Sequence, residues 1–565
     1  MRRPTAAARG PGERGVFGRH PGDVMHRPLA RATALMTFGT LLSRATGLLR
    51  IAAMTAALGI VESGRLTDTY NLANTAPNII YELVLGGVLT SVFVPVFVEL
   101  LEKEGRERTW QVASAVINVA LVLLTAVTAL GIAAAPWIAR LYASRLEGQA
   151  AELQHDILTF LLRLFIPQII FYGLAAITAG LLQAHRRFGA PMYTPVLNNL
   201  TVIAAFLVFR HFYERVTFEG VTTSQLLVIG IGTTAGVALM ALAQLPFLRG
   251  LGRYRLTFAL GHPSVKKLAR LSVYVIGYVI TNVLGYLIVQ YLANAQQGGY
   301  SAYVAAFTFF MLPHGLFAVS VITALLPGMS QHAANHDLGA LRERLSTGVR
   351  ATFLLILPAA VGLFVLGEPI IRFLLENGVM SPTSTELVAS VLRYFVIGLV
   401  PFSLYQFFRQ TFNALQDTKT PFLINCASVA LNTAVNIPMF AWLGVEGLAA
   451  GHAIAYTFGV AVQAWLLRRR IGGLDGTRVV RSAARIAGAA AGMGLLVWAV
   501  SAAGQGMLDP AGPLGDLALV VLTVGTGISG YLALAHLLRV EELGFVWALV
   551  RRRAAGSTPE GPQPI

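Results

Sequence analysis

Arg44 and Arg50 stand in the first long apolar run of this 565-residue chain, where a guanidinium is costly unless it faces water or an anion. A buried guanidinium keeps its charge and offers a phosphate or carboxylate two parallel hydrogen bonds, so anion binding is the chemistry that suits this pair. On one helix, six residues at 100° each set them about 120° apart, flanking a wide cavity rather than forming one stripe. Arg163, Arg393 and Arg409 also fall in apolar runs; Arg163 and Arg393 lie near helix ends, where a long side chain reaches back to water. Acidic groups are scarcer. Asp68 opens the second run, either as an N-cap or as a functional carboxylate. Glu82 lies deeper and needs a partner, for which an arginine of the first run is available.

Two polar stripes repeat at helical spacing: Asn282, Tyr286, Gln290 and Asn294, then Asn425, Ser428, Asn432 and Asn436. Each either bonds a neighbouring helix or lines an aqueous cavity. Asn413 and Asp417, four apart at a helix end, offer oxygens to a hard cation or cap the following loop. The sequence has no nucleotide-binding loop, no zinc-ligand spacing and no nucleophile–base pairing, so we assign no catalytic residue and no metal site. The single cysteine, Cys426, sits in an apolar run as a buried thiol and allows no intrachain disulfide.

The elements that carry these residues are membrane helices. Hydrophobic residues make up 55% of the chain and charged residues 12%, too few to cover a soluble surface. Continuous apolar runs, rather than alternating ones, exclude a β-barrel. We expect an all-α polytopic membrane protein with about fourteen spans, near residues 32–59, 67–99, 110–136, 156–183, 190–211, 223–248, 264–294, 300–330, 346–372, 386–416, 419–442, 446–467, 480–502 and 514–538. The net charge of +16 raises a nucleic-acid reading, which position dismisses. With the N-terminus inside and residues at span ends given to the adjoining loop, 32 of the 43 Lys and Arg fall on the cytoplasmic side and 6 outside. That asymmetry puts both termini in the cytoplasm. Arg468–Arg470 and Arg551–Arg553 are then topology determinants that touch anionic headgroups.

An internal duplication recurs at an offset of about 230 residues, as expected when two membrane repeats lie side by side. Leu182-Gln183-Ala184 leads to Pro191 as Phe412-Asn413-Ala414 leads to Pro421. Pro95 answers Pro327, and Pro136 answers Pro369. An offset of six spans keeps both halves in one orientation, giving two parallel six-helix lobes with a site between them. The expected organisation is a basic cytoplasmic tail without fixed structure (1–28), an N-lobe (29–248), a cytoplasmic connecting loop (249–263), a C-lobe (264–470), two appended helices (471–540) and a cytoplasmic tail (541–565). Prolines in or beside most spans, among them Pro77, Pro167, Pro313, Pro358, Pro401 and Pro438, free backbone carbonyls and let helices bend as the lobes rock.

The stretch Thr67-Asp68-Thr69-Tyr70-Asn71-Leu72-Ala73-Asn74-Thr75-Ala76-Pro77-Asn78, running through Gly86-Gly87 to Phe93-Val94-Pro95-Val96, closely resembles the MurJ (MviN) family of lipid II flippases. That family belongs to the multidrug/oligosaccharidyl-lipid/polysaccharide exporter superfamily. Ser43-Arg44 with Gly47 and Arg50, Pro313-His314-Gly315, and Gln416-Asp417-Thr418-Lys419-Thr420-Pro421 agree with it, and the resemblance covers roughly residues 30–540. The wording around Tyr81-Glu82-Leu83 and Pro313-His314-Gly315 is most like the actinobacterial branch. The resemblance implies a V of two lobes around a cationic cavity, two extra helices forming a hydrophobic groove, and lipid II as substrate, moved across the bacterial cytoplasmic membrane. Family positions map onto Arg44, Arg50 and Asp68, which with Asn78 and Glu82 are the expected substrate contacts.

This chain departs from the family pattern at Tyr81, Glu82 and Thr308, where many members carry basic residues, so the cavity should be less basic. Some members bind sodium between the seventh and eleventh helices. Asn413, Asp417 and Thr433 match that pattern, while the seventh span has no Asp or Glu. A sodium gradient or the membrane potential is the expected driving force, with no other cofactor. Membrane lipids and cell-wall synthesis proteins are the further partners the resemblance allows. The rival functions are export of another undecaprenyl-linked glycan, a cation-coupled drug antiporter, which an unpaired Glu82 in the cavity would favour, and a non-transporting scaffold for cell-wall enzymes.

Overall fold

In the computed structural model the structure describes residues 21–82, 94–144, 146–257, 263–507 and 513–544. Among these its regular structure is helical, without a strand. In chain order the helices are α1 (Pro21–Leu58), α2 (Leu66–Tyr81), α3 (Val94–Lys103), α4 (Gly105–Ala143), α5 (Gly148–Phe165), α6 (Gln168–Ala184), α7 (Gly189–Phe212), α8 (Thr223–Leu242), α9 (Pro263–Ala293) and α10 (Gly299–Pro313). There follow α11 (Val319–Ala334), α12 (Leu338–Leu375), α13 (Pro382–Ile397), α14 (Leu399–Ala414), α15 (Lys419–Leu443), α16 (Val445–Ile471), α17 (Gly476–Met507) and α18 (Pro513–Leu537). Helix α1 starts at Pro21, inside the segment expected to lack structure up to residue 28.

Eleven described helices are long and apolar enough to cross a bilayer, and the bent pair α13–α14 makes a twelfth. The other two expected spans, 67–99 and 264–294, are not counted: residues 83–93 of the first lie outside the described residues, and only Val279–Ala293 of the second qualifies as an apolar helix. The Gly86-Gly87 part of the family motif falls in that undescribed stretch.

The duplication is visible in the backbone. Helices α10 and α12 each begin 233 residues after α2 and α4. The turn after α6 and the turn after α14 are the same turn. Arg186 (φ 58°) and Gln416 (φ 57°) both take the left-handed conformation that non-glycine residues seldom adopt. In each, the next amide reaches back to close the helix: Arg187 N donates to Leu182 O at 2.8 Å, and Asp417 N to Phe412 O at 2.9 Å. The matching Gln183-Ala184 and Asn413-Ala414 pairs mark this turn. Three of the six named prolines stand at or near helix breaks, whereas Pro77, Pro358 and Pro438 lie inside continuous helices. Pro167 sits at the break between α5 and α6, Pro313 precedes a wider π-turn at His314–Ala318, and α13 and α14 meet at Gly398 with a 48° bend, three residues before Pro401.

Helices α2–α8 pack on one another and on α1, and α9–α16 form a second group. In the first, Tyr70 sets its ring edge against Phe165 and Phe206 at 5.6 and 5.3 Å. In the second, Phe310, Phe395, Phe402 and His452 form one aromatic cluster. Helices α17 and α18 pack on each other and mainly on α12, and the first turn of α17 also meets α14 and α16 at Val479. Ile486, Ala489, Met493 and Tyr531 fill that seam against Leu354 and Leu366, and Arg350 of α12 pairs with Glu542 just beyond α18. Leu495, Trp498, Val521 and Ile528 on their outer faces stay exposed, as a lipid-facing surface requires.

Candidate substrate cavity

The two helix groups are fastened at one end of the bundle, here the distal end, which carries the turns at 59–65 and 294–298. Asp68 is fully buried there. Its Oδ2 accepts from Gly298 N at 2.7 Å, and Oδ1 from Ser301 N at 2.8 Å and Ser301 Oγ at 2.7 Å. Asp68 therefore caps α10 of the other group and makes no cap on its own helix, whose N-cap residue is Arg65 with no side-chain capping bond. Asp68 does act as a cap, but on a neighbouring helix, because spacing along one chain cannot show a neighbour's free amides. Arg65 donates to Asn294 O at 2.8 Å and Ala295 O at 3.3 Å, closing the same joint.

Glu62 makes a second fastening. Its carboxylate accepts from Ser381 N at 2.8 Å, from Ser381 Oγ, and from Ser384 Oγ at 2.7 and 2.9 Å, at the N-cap and in the first turn of α13. Burial pushes this carboxyl up, but the hydrogen bonds from Ser381 and Ser384 outweigh it and hold the group below the usual 4.5. Glycine is required opposite: at Gly298 (φ 73°) a Cβ would meet Val61 Cγ1 at 2.6 Å.

Away from this joint the groups part around a cavity of about 390 Å³. Thr75, Asn78 and Glu82 of α2 line one side. Asn282 and Tyr286 of α9, Tyr303 and Phe307 of α10, Asn425, Ser428 and Asn432 of α15, and His452 and Tyr456 of α16 line the rest. The expected polar stripes thus divide. Asn282, Tyr286, Asn425, Ser428 and Asn432 reach the cavity, whereas Gln290 and Asn294 are buried and bonded to Tyr142, and Asn294 also to Gln154. Asn436 exchanges bonds with Asn432.

The candidate residues fall in three places. Asn78 and Glu82 are in the cavity wall, and Asp68 is in the distal joint. Arg44 and Arg50 are outside that wall. Arg44 lies against the Pro313-His314-Gly315 turn, with its Nε buried and without a hydrogen bond, and Arg50 is within electrostatic range of the Tyr70 and Tyr172 hydroxyls. Among the described residues neither arginine has a carboxylate within 4 Å, and the expected pairing of Glu82 with an arginine of α1 is absent. Glu82 faces the cavity at the end of α2 instead.

Asn413, Asp417 and Thr433 do not converge. Thr433 lies fourteen residues into α15 from Lys419, about 21 Å along the axis at 1.5 Å per residue. Asp417 is engaged by Thr420 N at 3.0 Å, Thr420 Oγ1 at 2.8 Å and an ion pair with Arg470, and these contacts hold its carboxyl low against the upward push of burial. Asn413 donates to Gln410 at 2.7 Å. The loop-capping alternative holds for Asp417.

Sequence reasoning missed Glu368, which holds Arg372 at 3.0 Å and Arg393 at 2.9 Å, so Arg393 is paired rather than merely reaching for water. The Glu368/Arg372 spacing of four was a readable signal. It also missed Glu62, whose partners are more than 300 residues away. Cys426, expected buried, is partly exposed beside Thr281.

Comparison with known proteins adds to this geometry. A family model described as "Lipid II flippase MurJ" matches residues 55–510. The chain is 29% identical over 546 residues to the "Probable lipid II flippase MurJ" of Rhizobium meliloti, covering 94% of this chain and 98% of that protein. It is 29% identical over 539 residues to the "Lipid II flippase MurJ" of Burkholderia cenocepacia, covering 93% and 99%. Among solved structures, "Lipid II flippase MurJ, inward closed conformation" superposes with a TM-score of 0.71 at 22% identity, over 90% of this chain and all of that one. An inward-facing multidrug resistance MATE family transporter of the MOP superfamily superposes at 0.63 with 14% identity, over 76% of this chain and 96% of the transporter.

Proposed function

The chain belongs to the lipid II flippase MurJ family, and from that premise we propose that it carries the undecaprenyl-pyrophosphate-linked peptidoglycan precursor from the inner to the outer leaflet of the bacterial cytoplasmic membrane. As a member of a transporter family it is not an enzyme. The observation that supports this reading best is the polar cavity between two helix groups that Asp68 and Glu62 fasten at the distal end. Such a joint permits alternating access: releasing it and closing the opposite end would turn the cavity over. We infer fourteen spans with both termini cytoplasmic, an N-lobe ending at 248 and a C-lobe running from 264 to 470. The distal end is then the outer one, and the cavity is accessible from the cytoplasm.

In this reading Arg44 and Arg50 hold the pyrophosphate and Asn78 contacts the sugar-peptide part, while α17 and α18 offer the polyprenyl tail an apolar groove. With the cation set dispersed, the inside-negative potential is the driving force we favour, because it pushes an anion outward by about 2.3 kcal/mol per charge per 100 mV. Depletion in the native host tests the function directly. Accumulation of lipid II on the inner leaflet is the expected result, and accumulation of a different lipid-linked sugar would redirect the assignment. One observation favours a second reading. Glu82 in the cavity without a cation within 4 Å among the described residues is what a cation-coupled antiporter would use. Glu82→Gln should leave lipid II flipping in place; loss of flipping together with loss of proton dependence would support the coupled reading.

A further inference from the structure

The first turns of α17 border a separate cavity of about 410 Å³, remote from the chamber between the lobes. Arg478, Arg481 and Arg485 face it from α17, and Glu541 and Glu542 face it from beyond α18. The arginines are spaced three and four apart, which brings them to one side of the helix. Their charge is incompletely matched. Glu542 is taken by the nearly buried Arg350. Glu541 lies 3.6 Å from Arg478 and 3.9 Å from Arg485, beyond good hydrogen-bond length; Arg485 donates once, to Arg539 O at 3.0 Å, and most of the remaining donors of the pair are unfilled among the described residues. Arg481 has no carboxylate within 4 Å among the described residues. Among the described residues the cavity therefore keeps a surplus of two positive charges.

Two further observations point to a bound anion. Ser482, in the same wall, is only 8% exposed, and its Oγ makes no hydrogen bond. A buried hydroxyl seldom goes without a partner, and a phosphate oxygen would supply one. The helix begins at Gly476, so its unpaired first amides open toward this end and favour negative charge. The location suits a lipid. The opposite side of the same turns, at Gly476, Val479 and Val480, lines an apolar cavity of about 220 Å³ with Phe353 and Phe408. One helix start thus has a basic side and an apolar side, as at a water–hydrocarbon boundary. At the end of neighbouring α16, Arg469 lies 3.8 Å over the Trp465 ring, an arrangement typical of that boundary.

We propose that this cavity binds the phosphate headgroup of an anionic membrane lipid, with Arg478, Arg481 and Arg485 as its ligands and Ser482 as a hydrogen-bond donor. The excess of two charges matches a phosphate monoester better than a single phosphodiester. That the lipid comes from the cytoplasmic leaflet rests on the orientation proposed above; the site itself does not.

Native mass spectrometry and thermal melting of the purified full-length protein test this, with phosphatidic acid, phosphatidylglycerol, phosphatidylcholine and inorganic phosphate as probes. The expected order is phosphatidic acid, then phosphatidylglycerol, with phosphatidylcholine weakest. Arg481→Gln and the double variant Arg478→Gln/Arg481→Gln should lose at least tenfold in affinity for phosphatidic acid, and Arg481→Lys should keep part of it. Arg163→Gln, on α5 and in neither cavity, should bind it unchanged, which separates this site from a general effect of losing one positive charge. Equal binding of phosphatidylcholine, or wild-type affinity in a well-folded Arg481→Gln, would overturn the site. Inorganic phosphate protecting as well as the lipid would overturn the lipid as its source.

Discussion

The Arg44 guanidinium occupies the space that a side chain at Gly315 would need: a Cβ there would lie 2.6 Å from Cζ and 2.7 Å from an Nη nitrogen. The contact joins α1 to the turn after α10, across the two helix groups. Because the clashing atoms are the far end of a flexible side chain, Gly315→Ala should leave the fold intact and displace only the guanidinium. We expect normal expression and gel-filtration behaviour, with lipid II flipping reduced at least tenfold. Wild-type flipping by this variant would show that the position of Arg44 does not matter to transport.

The arginines themselves should behave as an anion site. Arg44→Ala and Arg50→Ala are each expected to fail in complementation, with the Lys variants recovering in part, since lysine offers a point charge rather than a fork. Because Glu82 is not paired with Arg44, the exchange Arg44→Glu with Glu82→Arg should not restore growth. Growth of that double variant at normal expression would count against the clamp.

How far the sequence could lead is clear from these residues. The helices, the duplication and the family motif were legible, because apolar length and a repeated turn such as 183–187 and 413–417 are properties of one stretch of chain. Asp68 was recognised as important from its place at a helix start, yet its real partners are Gly298 and Ser301, 230 and 233 residues later. Glu82 was given an arginine because a buried charge needs one, but the carboxylate escapes burial by facing the cavity. The supposed cation set failed for a related reason: matching positions on two helices says nothing about the distance along them.

Asp68 should control how tightly the distal end is shut. Asp68→Asn removes the charge from three hydrogen bonds to α10 and turns one acceptor oxygen into a donor. A charge-assisted bond of this kind is worth about 2 kcal/mol, roughly a thirtyfold shift toward the distally open state. In a Cys426→Ser background, a single cysteine at Asn71 should react faster with an impermeant thiol reagent applied outside. Unchanged labelling would mean that Asp68 does not bear on the joint.

Acid should act on the same joint through Glu62. Its carboxyl is held below the usual 4.5 when the joint is closed, so the ionised form stabilises closure. That contribution is complete above the ordinary carboxylate value and is lost as pH falls through the lower, closed-state value. Measured relative to an exposed single-cysteine control, which corrects for the falling thiolate fraction, labelling of the Asn71 cysteine should therefore rise as the outer pH is lowered below about 4.5, the ordinary carboxyl value. In Glu62→Gln it should be raised at every pH and lose that acid-dependent step. A step of equal size in the variant would assign it to another group.

The appended helices make the last test. Helices α17 and α18 touch the rest of the protein mainly through α12, by the seam at Leu354 and Leu366 and by the Arg350–Glu542 pair, with a smaller apolar contact of Val479 on α14 and α16. Removing them exposes apolar α12 surface to lipid, which costs little because lipid tails are as apolar as the seam. The charge of Arg350 would be left without its carboxylate, but at the bundle end, where it regains water. A chain ending after Gly472 should therefore insert and fold as a core, with a monodisperse elution profile, and an Arg350→Gln companion should guard against residual cost from the orphaned guanidinium. If the groove of α17 and α18 holds the polyprenyl tail, neither truncated chain should sustain growth or flip lipid II. Full complementation by either would place the tail elsewhere.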